Sequence, residues 1–459
     1  MKKTRFNKFL NEEILKTLLY AEALKVFGNE RASHFAQRHQ DLFHTPAVPV
    51  NFEYGRGIYL YDAQKRPYID IANYNGITLA GHNNPVLKRA LAKAASGPLC
   101  TFGVRKDMID LAELLCDRFE LDGVSFWTAG SEATLEALRI AREATGRRKV
   151  LKVAGCYHAA DWYGSISSAY EGDENPCAIA EPRPLVPGTA AYKDDLVVLG
   201  GWTTKALHQA FAAHGEELAA VFIEPFVGSL GYLAAPLEFL QAARKLCDRY
   251  GVVLVWDEVW CGAVVGVNGA YSQWQKHLNE IRPDLRCLAK GIAAGAPFAV
   301  CGGSYALMTL RGACDISSTA TYYQNRISIA AAHAMLQKIL TPENHRALSE
   351  RSQYFAERLN EELAMFHLEA KSFGLGGSIR PNELWLRSPA EQGIGGVLDS
   401  FYDLFWLRAL DDGLVSQPGF IGWTLSTPYL EDEGEEALDT AVEKVVTIVK
   451  DILQECMFS

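Results

Sequence analysis

The sequence predicts an open α/β fold with a mainly parallel sheet covered by helices on both faces. From about residue 105 onward, segments with apolar residues at helical spacing alternate with short continuous apolar runs. Strands that are apolar at every position, not at every second one, are buried on both faces, as parallel strands are. Size and composition agree: 459 residues, 49% hydrophobic and 22% charged, suffice for large, well-covered cores and exclude disordered or collagen-like chains.

In chain order, residues 8 to 40 carry Phe9, Ile14, Leu18, Leu19, Ala21 and Leu24 at helical spacing and are expected to form one or two helices. A β-rich segment follows, Gly57 to Asp62 and Tyr68 to Ile71, split by the turn-like Ala63-Gln-Lys-Arg-Pro67. Helices are expected over 105–119, 131–145, 203–214, 236–250 and 326–341. Strands are expected at Lys149 to Val153, Ala220 to Ile223, Val252 to Trp256 and Ala299 to Cys301. Beyond 342 the composition becomes more polar, with strand-like pieces at Glu383 to Leu386 and Trp423 to Ser426 and a last helix from about Asp432 to Leu453. The expected division is a large domain over 96–335 and a small α+β domain from both chain ends, 1–95 with an N-terminal helical extension and 336–459.

Lys plus Arg number 45 against 55 Asp plus Glu, a net charge of −10 that argues against a nucleic-acid partner. The basic start, Lys2, Lys3 and Arg5, leads into an amphipathic stretch and not an apolar core, so no signal peptide is expected. No run approaches the length of a membrane span, since even Val252 to Trp256 meets Asp257 at once. Ten cysteines spread without a CxxC pair read as reduced thiols of a cytoplasmic enzyme, not as a disulfide framework or a metal site.

Three positions carry chemistry. Trp127-Thr-Ala-Gly-Ser-Glu-Ala133 opens a helix with the apolar face Ala133, Leu135, Ala137, Leu138, Ile140 and Ala141. Gly130 and Ser131 therefore stand at a helix N-terminus, where free N–H groups and the dipole favour an anion such as phosphate; a plain cap by Ser131 is the other reading. Asp257 follows the apolar run Val252 to Trp256 at the C-terminal end of a buried strand, where ligands bind in open α/β sheets. A carboxylate there needs a cation, a salt bridge or a capping role. Lys290 lies in Leu288-Ala-Lys-Gly-Ile-Ala-Ala-Gly-Ala-Pro297, with no acidic neighbour from Cys287 to Val300. Such a setting invites a lowered pKa suited to Schiff-base chemistry, unless the side chain snorkels to the surface. One ligand explains all three: a phosphate on the helix, a cationic ring nitrogen at Asp257 and an aldehyde carbon on Lys290 describe pyridoxal 5′-phosphate (PLP).

From about Gly57 to the C-terminal helix the sequence resembles the class III aminotransferases of fold type I, most nearly their glutamate-1-semialdehyde aminomutase branch. The resemblance implies a large domain with a mainly parallel seven-stranded sheet, and PLP passing through its pyridoxamine 5′-phosphate form during turnover. Ala129-Gly-Ser-Glu-Ala133 stands where the family has Ser-Gly-Thr-Glu-Ala, which gives Gly130 and Ser131 the phosphate. Tyr157-His158 matches Tyr-His-Gly, with Ala159 for the Gly, and implies Tyr157 stacked on the cofactor with His158 beside it. Glu224-Pro-Phe-Val-Gly-Ser229 resembles Glu-Pro-x-x-Gly-Asn, so Ser229 replaces an Asn near the cofactor's phenolate oxygen. Val259 would cover the ring face opposite Tyr157. Thr321-Tyr-Tyr-Gln-Asn325 is similar to Thr-Phe-x-Gly-Asn, whose Thr serves the phosphate of the neighbouring subunit and so implies a homodimer with shared sites.

The substrate shell departs from the branch. Pro49-Val-Asn51 resembles Pro-Val-Arg, but the carboxylate-binding arginine is Asn51. Gly262-Ala-Val replaces the Gly-Phe-Arg that follows Asp-Glu-Val, and Arg326 stands where Pro usually follows the Asn. The expected activity is transfer of an amino group between an amine or amino acid and a carbonyl substrate unlike glutamate semialdehyde. An aminomutase is the alternative, then a racemase or decarboxylase, and last a non-catalytic regulator, which would more readily have lost Lys290. A nicotinamide enzyme is disfavoured, because Gly55-Arg-Gly57, Gly374-Leu-Gly376 and Gly393-Ile-Gly395 all lack the third glycine in register.

Overall fold

The computed structural model describes residues 6–27, 50–160, 162–168, 175–183, 192–313, 320–386 and 397–458. They divide into two compact units, one within Pro85–Glu343 and the other within Met1–Asn84, Asn344–Leu386 and Gly393–Ser459.

The first unit is built on one sheet, whose strands we number β1 (Gly123–Trp127), β2 (Lys149–Val153), β3 (Ile179–Ala180), β4 (Leu196–Leu199), β5 (Leu218–Ile223), β6 (Val253–Glu258), β7 (Leu285–Leu288) and β8 (Ala299–Gly303). Their spatial order is β1-β8-β7-β6-β5-β2-β4-β3. From β7 to β4 every neighbouring pair is parallel, β8 lies antiparallel between β1 and β7, and β3 is an antiparallel edge. The seven strands expected are joined by an eighth of two residues, β3, which has too little pattern to be read from sequence. β1, β4 and β7 carry no assignment of their own in the sequence reading.

Helices Lys106–Phe119, Gly130–Thr145, Thr204–His214 and Leu237–Tyr250 lie within a residue or so of their expected bounds. The Gly130 helix buries Ala133, Ala137, Leu138, Ile140 and Ala141 in a core shared with Val150, Val198, Ala220, Val255 and Leu285. Each fully buried Leu or Ile contributes roughly 1.5–3 kcal/mol, which fixes the helix against the sheet. Gly146 ends it in the left-handed region, at φ 65°. The single helix expected over 326–341 is α-helical only across Arg326–Ala334 and continues as a π-helical turn, Met335–Ile339. The Arg118 guanidinium donates to the Leu336 carbonyl there at 2.9 Å, withdrawing it from the regular ladder.

The second unit holds a four-stranded sheet, Phe52–Arg56, Tyr59–Asp62, Pro67–Asp70 and Leu414–Val415, and a three-stranded one, Leu368–Phe373, Gly376–Pro381 and Ile421–Thr424. Its helices include Glu12–Phe27, Val397–Asp411 and Asp432–Phe458. The helical reading of 8–40 is met over Glu12–Phe27, and 28–49 lie outside the described residues. The strand-like piece Glu383 to Leu386 is a correction: Asn382–Leu386 is a 3-10 helix. Its apolar residues mimic a strand, but the pairing with Leu368–Phe373 reaches only to the Asn382 N–H on the His367 carbonyl at 3.1 Å, and the Trp385 indole N–H turns back to the Glu369 carbonyl at 3.1 Å. Among the described residues no helix is long and apolar enough to cross a membrane, and the nine described cysteines are free thiols.

Candidate active site

All the expected site residues belong to the first unit. β6 ends in two adjacent acids whose side chains, at the two-residue period of a strand, point to opposite faces. Glu258 is fully buried and clasped by Arg286 of β7, with Nε–Oε1 2.5 Å and Nη2–Oε2 2.8 Å. It also accepts the Ala270 N–H at 2.7 Å, and the guanidinium lies over the Tyr271 ring at 4.2 Å. This pair is saturated internally and has a structural role. Asp257 faces the other way. Its Oδ2 lies 2.9 Å from His158 Nδ1, and its Oδ1 accepts the Val259 N–H at 3.0 Å. The positive partner that the sequence demanded is thus, within the chain, an imidazole whose charge depends on its protonation.

Lys290 follows the end of β7 and opens the 3-10 turn Lys290–Ala293 at φ 50°, a left-handed conformation that costs a non-glycine residue roughly 1–3 kcal/mol. The residue keeps part of its surface open while its amine is enclosed. Burial lowers the amine's pKa to about 8, against the opposing pull of Glu224, Asp257 and Cys261. Its Nζ sits 3.9 Å from the centre of the Trp260 ring. Glu224, at the end of β5, is held above the usual carboxylate range by burial and by Asp257. Its Oε1 accepts the Tyr157 N–H at 2.9 Å, which ties the Tyr157–His158 loop to the strand ends.

The helix that begins at Gly130 completes the group. Ala129 occupies the cap position, and the Glu132 carboxylate reaches back to the N–H groups of Thr128 (2.8 Å) and Ala129 (3.2 Å). The first intrahelical bonds come from Glu132 and Ala133 to the Ala129 carbonyl, so the N–H groups of Gly130 and Ser131 remain at the helix end. Ser131 is not the cap: its hydroxyl accepts the Ala160 N–H at 3.2 Å. A Cβ on Gly130 would lie 2.6 Å from Val259 Cγ1, so glycine is what lets the helix end approach the residue beyond Asp257.

Gly130, Ser131, Tyr157, His158, Glu224, Asp257 and Val259 are therefore linked by direct contacts, and Lys290 shares the charges of Glu224 and Asp257. Tyr157 is 48% exposed, whereas His158 is buried beside Asp257 with its ring 5.6 Å from that of Phe222. Ser229 is exposed on the short turn Gly228–Leu230, and Thr321 is exposed on the turn before the Asn325-capped helix. No described hydrogen bond joins Ser229 or Thr321 to the others. Sequence reasoning missed Trp260, whose only signal is its place after Asp257-Glu-Val259, and Arg286, an arginine set in the apolar strand Leu285–Leu288.

This donor set fits the expected cofactor. Two N–H groups stand at a dipole's positive end beside a position where glycine lets the segments approach, a carboxylate lies at a strand end, and burial brings a primary amine down to about 8. Residues 43–374 match the family model "Aminotransferase class-III". The chain is 33% identical to glutamate-1-semialdehyde 2,1-aminomutase of Bordetella avium over 325 residues, 70% of this chain and 73% of that protein. It is likewise 33% identical to the Polaromonas sp. protein of the same name over 310 residues, 67% of this chain and 69% of that protein. An omega-transaminase from Sphaerobacter thermophilus superposes with TM-score 0.82 at 25% identity, covering 94% of this chain and 97% of that one. A glutamate-1-semialdehyde-aminomutase from Pseudomonas aeruginosa in complex with PMP shares the fold, with TM-score 0.81 at 20% identity over 97% and 99% of the two chains.

Proposed function

The chain belongs to the class III aminotransferase family of PLP-dependent enzymes, and on that premise we propose that it moves an amino group from an amine or amino-acid donor to a carbonyl acceptor with Lys290 as covalent anchor and proton carrier. The observation that carries this reading is the enclosed Lys290 amine, brought down to about 8 by burial among residues that link it to the phosphate-seeking helix end. When bound, PLP supplies the carbon that takes up the amino group and the ring that receives the substrate's electron pair.

The protein's own residues divide the remaining work. The free N–H groups of Gly130 and Ser131 would hold the phosphate, Tyr157 and Val259 would enclose the ring, and Glu224 with Ser229 would serve its oxygen substituent. Asp257 would keep the cofactor's ring nitrogen protonated, with its carboxylate held in direction by His158 Nδ1 at 2.9 Å. Lys290, as a free amine, would be the group that takes a proton from the substrate carbon and returns it. The working state in this reading is a cytoplasmic homodimer in which Thr321 of each copy serves the other's phosphate.

An aminomutase uses the same residues and returns the amine to an adjacent carbon of the same molecule; the two 33%-identical relatives carry that name. Against it stands Asn51 in place of the branch's arginine, with its amide donating to Glu53 Oε1 at 3.3 Å. A panel of amino donors followed by mass spectrometry decides: transfer yields the donor's carbonyl product in step with loss of the yellow cofactor form. Conversion of glutamate 1-semialdehyde to its isomer without release of a carbonyl product would reverse the choice.

The shared site is tested by mixing Thr321→Ala with Lys290→Ala protein. Thr321→Ala is expected to weaken PLP binding by about 1–3 kcal/mol, the range for a lost hydrogen bond to a charged group. In mixed dimers one site then receives both defects and the other neither, so activity should reappear after subunit exchange. Mixtures no better than the sum of the parents, with exchange proven and the Thr321→Ala parent impaired, would place Thr321 in its own chain's site.

A further inference from the structure

We propose that Trp260 is a positioning residue for Lys290, its indole face being the seat on which the amine rests whenever it is free of the cofactor. The inference rests on the reading of Lys290 as the covalent anchor and adds what directs the amine between bond-making events. Lys290 Nζ stands 3.9 Å from the indole centre, and the face of tryptophan is the strongest side-chain π surface for an ammonium. Among the described hydrogen bonds and ion pairs none engages this amine. The groups that face it are the carboxylates of Glu224 at the end of β5 and Asp257 on β6, and the thiol of Cys261, which burial keeps protonated. Glu224 and Asp257 act through space and give the amine no fixed direction; the indole does.

The indole is itself immobilised by packing. A Cβ on Gly228 would lie 2.2 Å from Trp260 Cγ, so the ring is pressed onto the backbone of the turn that follows Glu224. Its N–H is buried and has no acceptor among the described residues, so shape and not a hydrogen bond orients the ring. An amine that leaves the cofactor in each half-reaction and must return to the same carbon needs such a surface, because an unguided four-carbon stem samples many rotamers.

The test uses full-length protein freed of cofactor, with PLP as the probe. The rate at which PLP becomes attached is read as growth of its yellow absorbance across a range of pH, in wild type and in Trp260→Phe, Trp260→Leu and Trp260→Gln. Only the neutral amine attacks, and the indole face favours the ammonium, so removing the ring should lower the pH midpoint of attachment. The expected fall is about 0.5–1 unit in the Leu and Gln variants, with Phe restoring at least half of it. A residue that merely fills space over Gly228 would change the amount of protein that binds PLP but not this midpoint. Borohydride reduction and peptide mapping accompany each variant. Cofactor fixed to another lysine would overturn the anchor assignment and this inference together. Cofactor on Lys290 with midpoints unchanged in both Leu and Gln variants would overturn the role of Trp260 alone. Should the Leu variant not fold, the comparison of Phe with Gln decides.

Discussion

Replacing Lys290 with alanine is expected to lower turnover on the order of 10⁴-fold while the fold, judged by thermal unfolding, is kept. Two functions are lost at one position: the covalent anchor and the group that relays a proton between substrate and cofactor. Alanine forfeits the contact with Trp260 but also releases the enclosed amine from its desolvated place and fits the left-handed backbone there as well as lysine does, so the two effects on stability oppose each other. Borohydride should fix PLP to the peptide containing Lys290 in the parent and to nothing in the variant. Lys290→Arg should not rescue activity, since a guanidinium stays charged at any working pH and cannot attack. Turnover within tenfold of the parent would remove Lys290 from the chemistry.

Asp257→Asn is expected to cost on the order of 10²–10³-fold in turnover, about 2.7–4 kcal/mol in the barrier, with PLP still bound. The amide keeps the size of the carboxylate, and its oxygen can still accept the Val259 N–H. What it lacks is the charge that, in the proposed reading, keeps the ring nitrogen protonated, while the N–H groups of Gly130 and Ser131 proposed for the phosphate are untouched. The measurement is turnover beside a PLP dissociation constant. A variant that loses cofactor affinity by the same factor as rate would show that Asp257 anchors the cofactor without activating it. The neighbouring acid makes the contrast: Glu258 is closed off by Arg286 and the Ala270 N–H, and it holds β6 to β7.

The candidate positions were legible wherever their signal is local. A helix start after Ala129, a carboxylate after a buried apolar run, and a lysine in a Gly/Ala segment are each written in a few consecutive residues. The bounds of the Lys106, Gly130, Thr204 and Leu237 helices followed from spacing alone. Short elements escaped for the same reason in reverse: β3 has two residues, and the apolar run Leu384 to Leu386 reads like a strand although it closes into a 3-10 helix.

By itself the sequence determined that this is a mainly parallel α/β chain with a glycine at a helix start, an acid at a strand terminus and a lysine in an apolar segment. Which partners those groups meet was decided only by tertiary structure. Asp257 and Glu258 are adjacent and chemically alike, yet one faces His158 and the other Arg286, because side chains alternate across β6 and because β7 happens to be its parallel neighbour. Ser131 receives the Ala160 N–H from a loop 29 residues away, and Lys290 settles on an indole contributed by the turn after a different strand. Periodicity and turn chemistry act over a few residues and survive in the linear string, whereas the order in which parallel strands assemble is set by crossover connections and burial of the whole sheet, which no local pattern records.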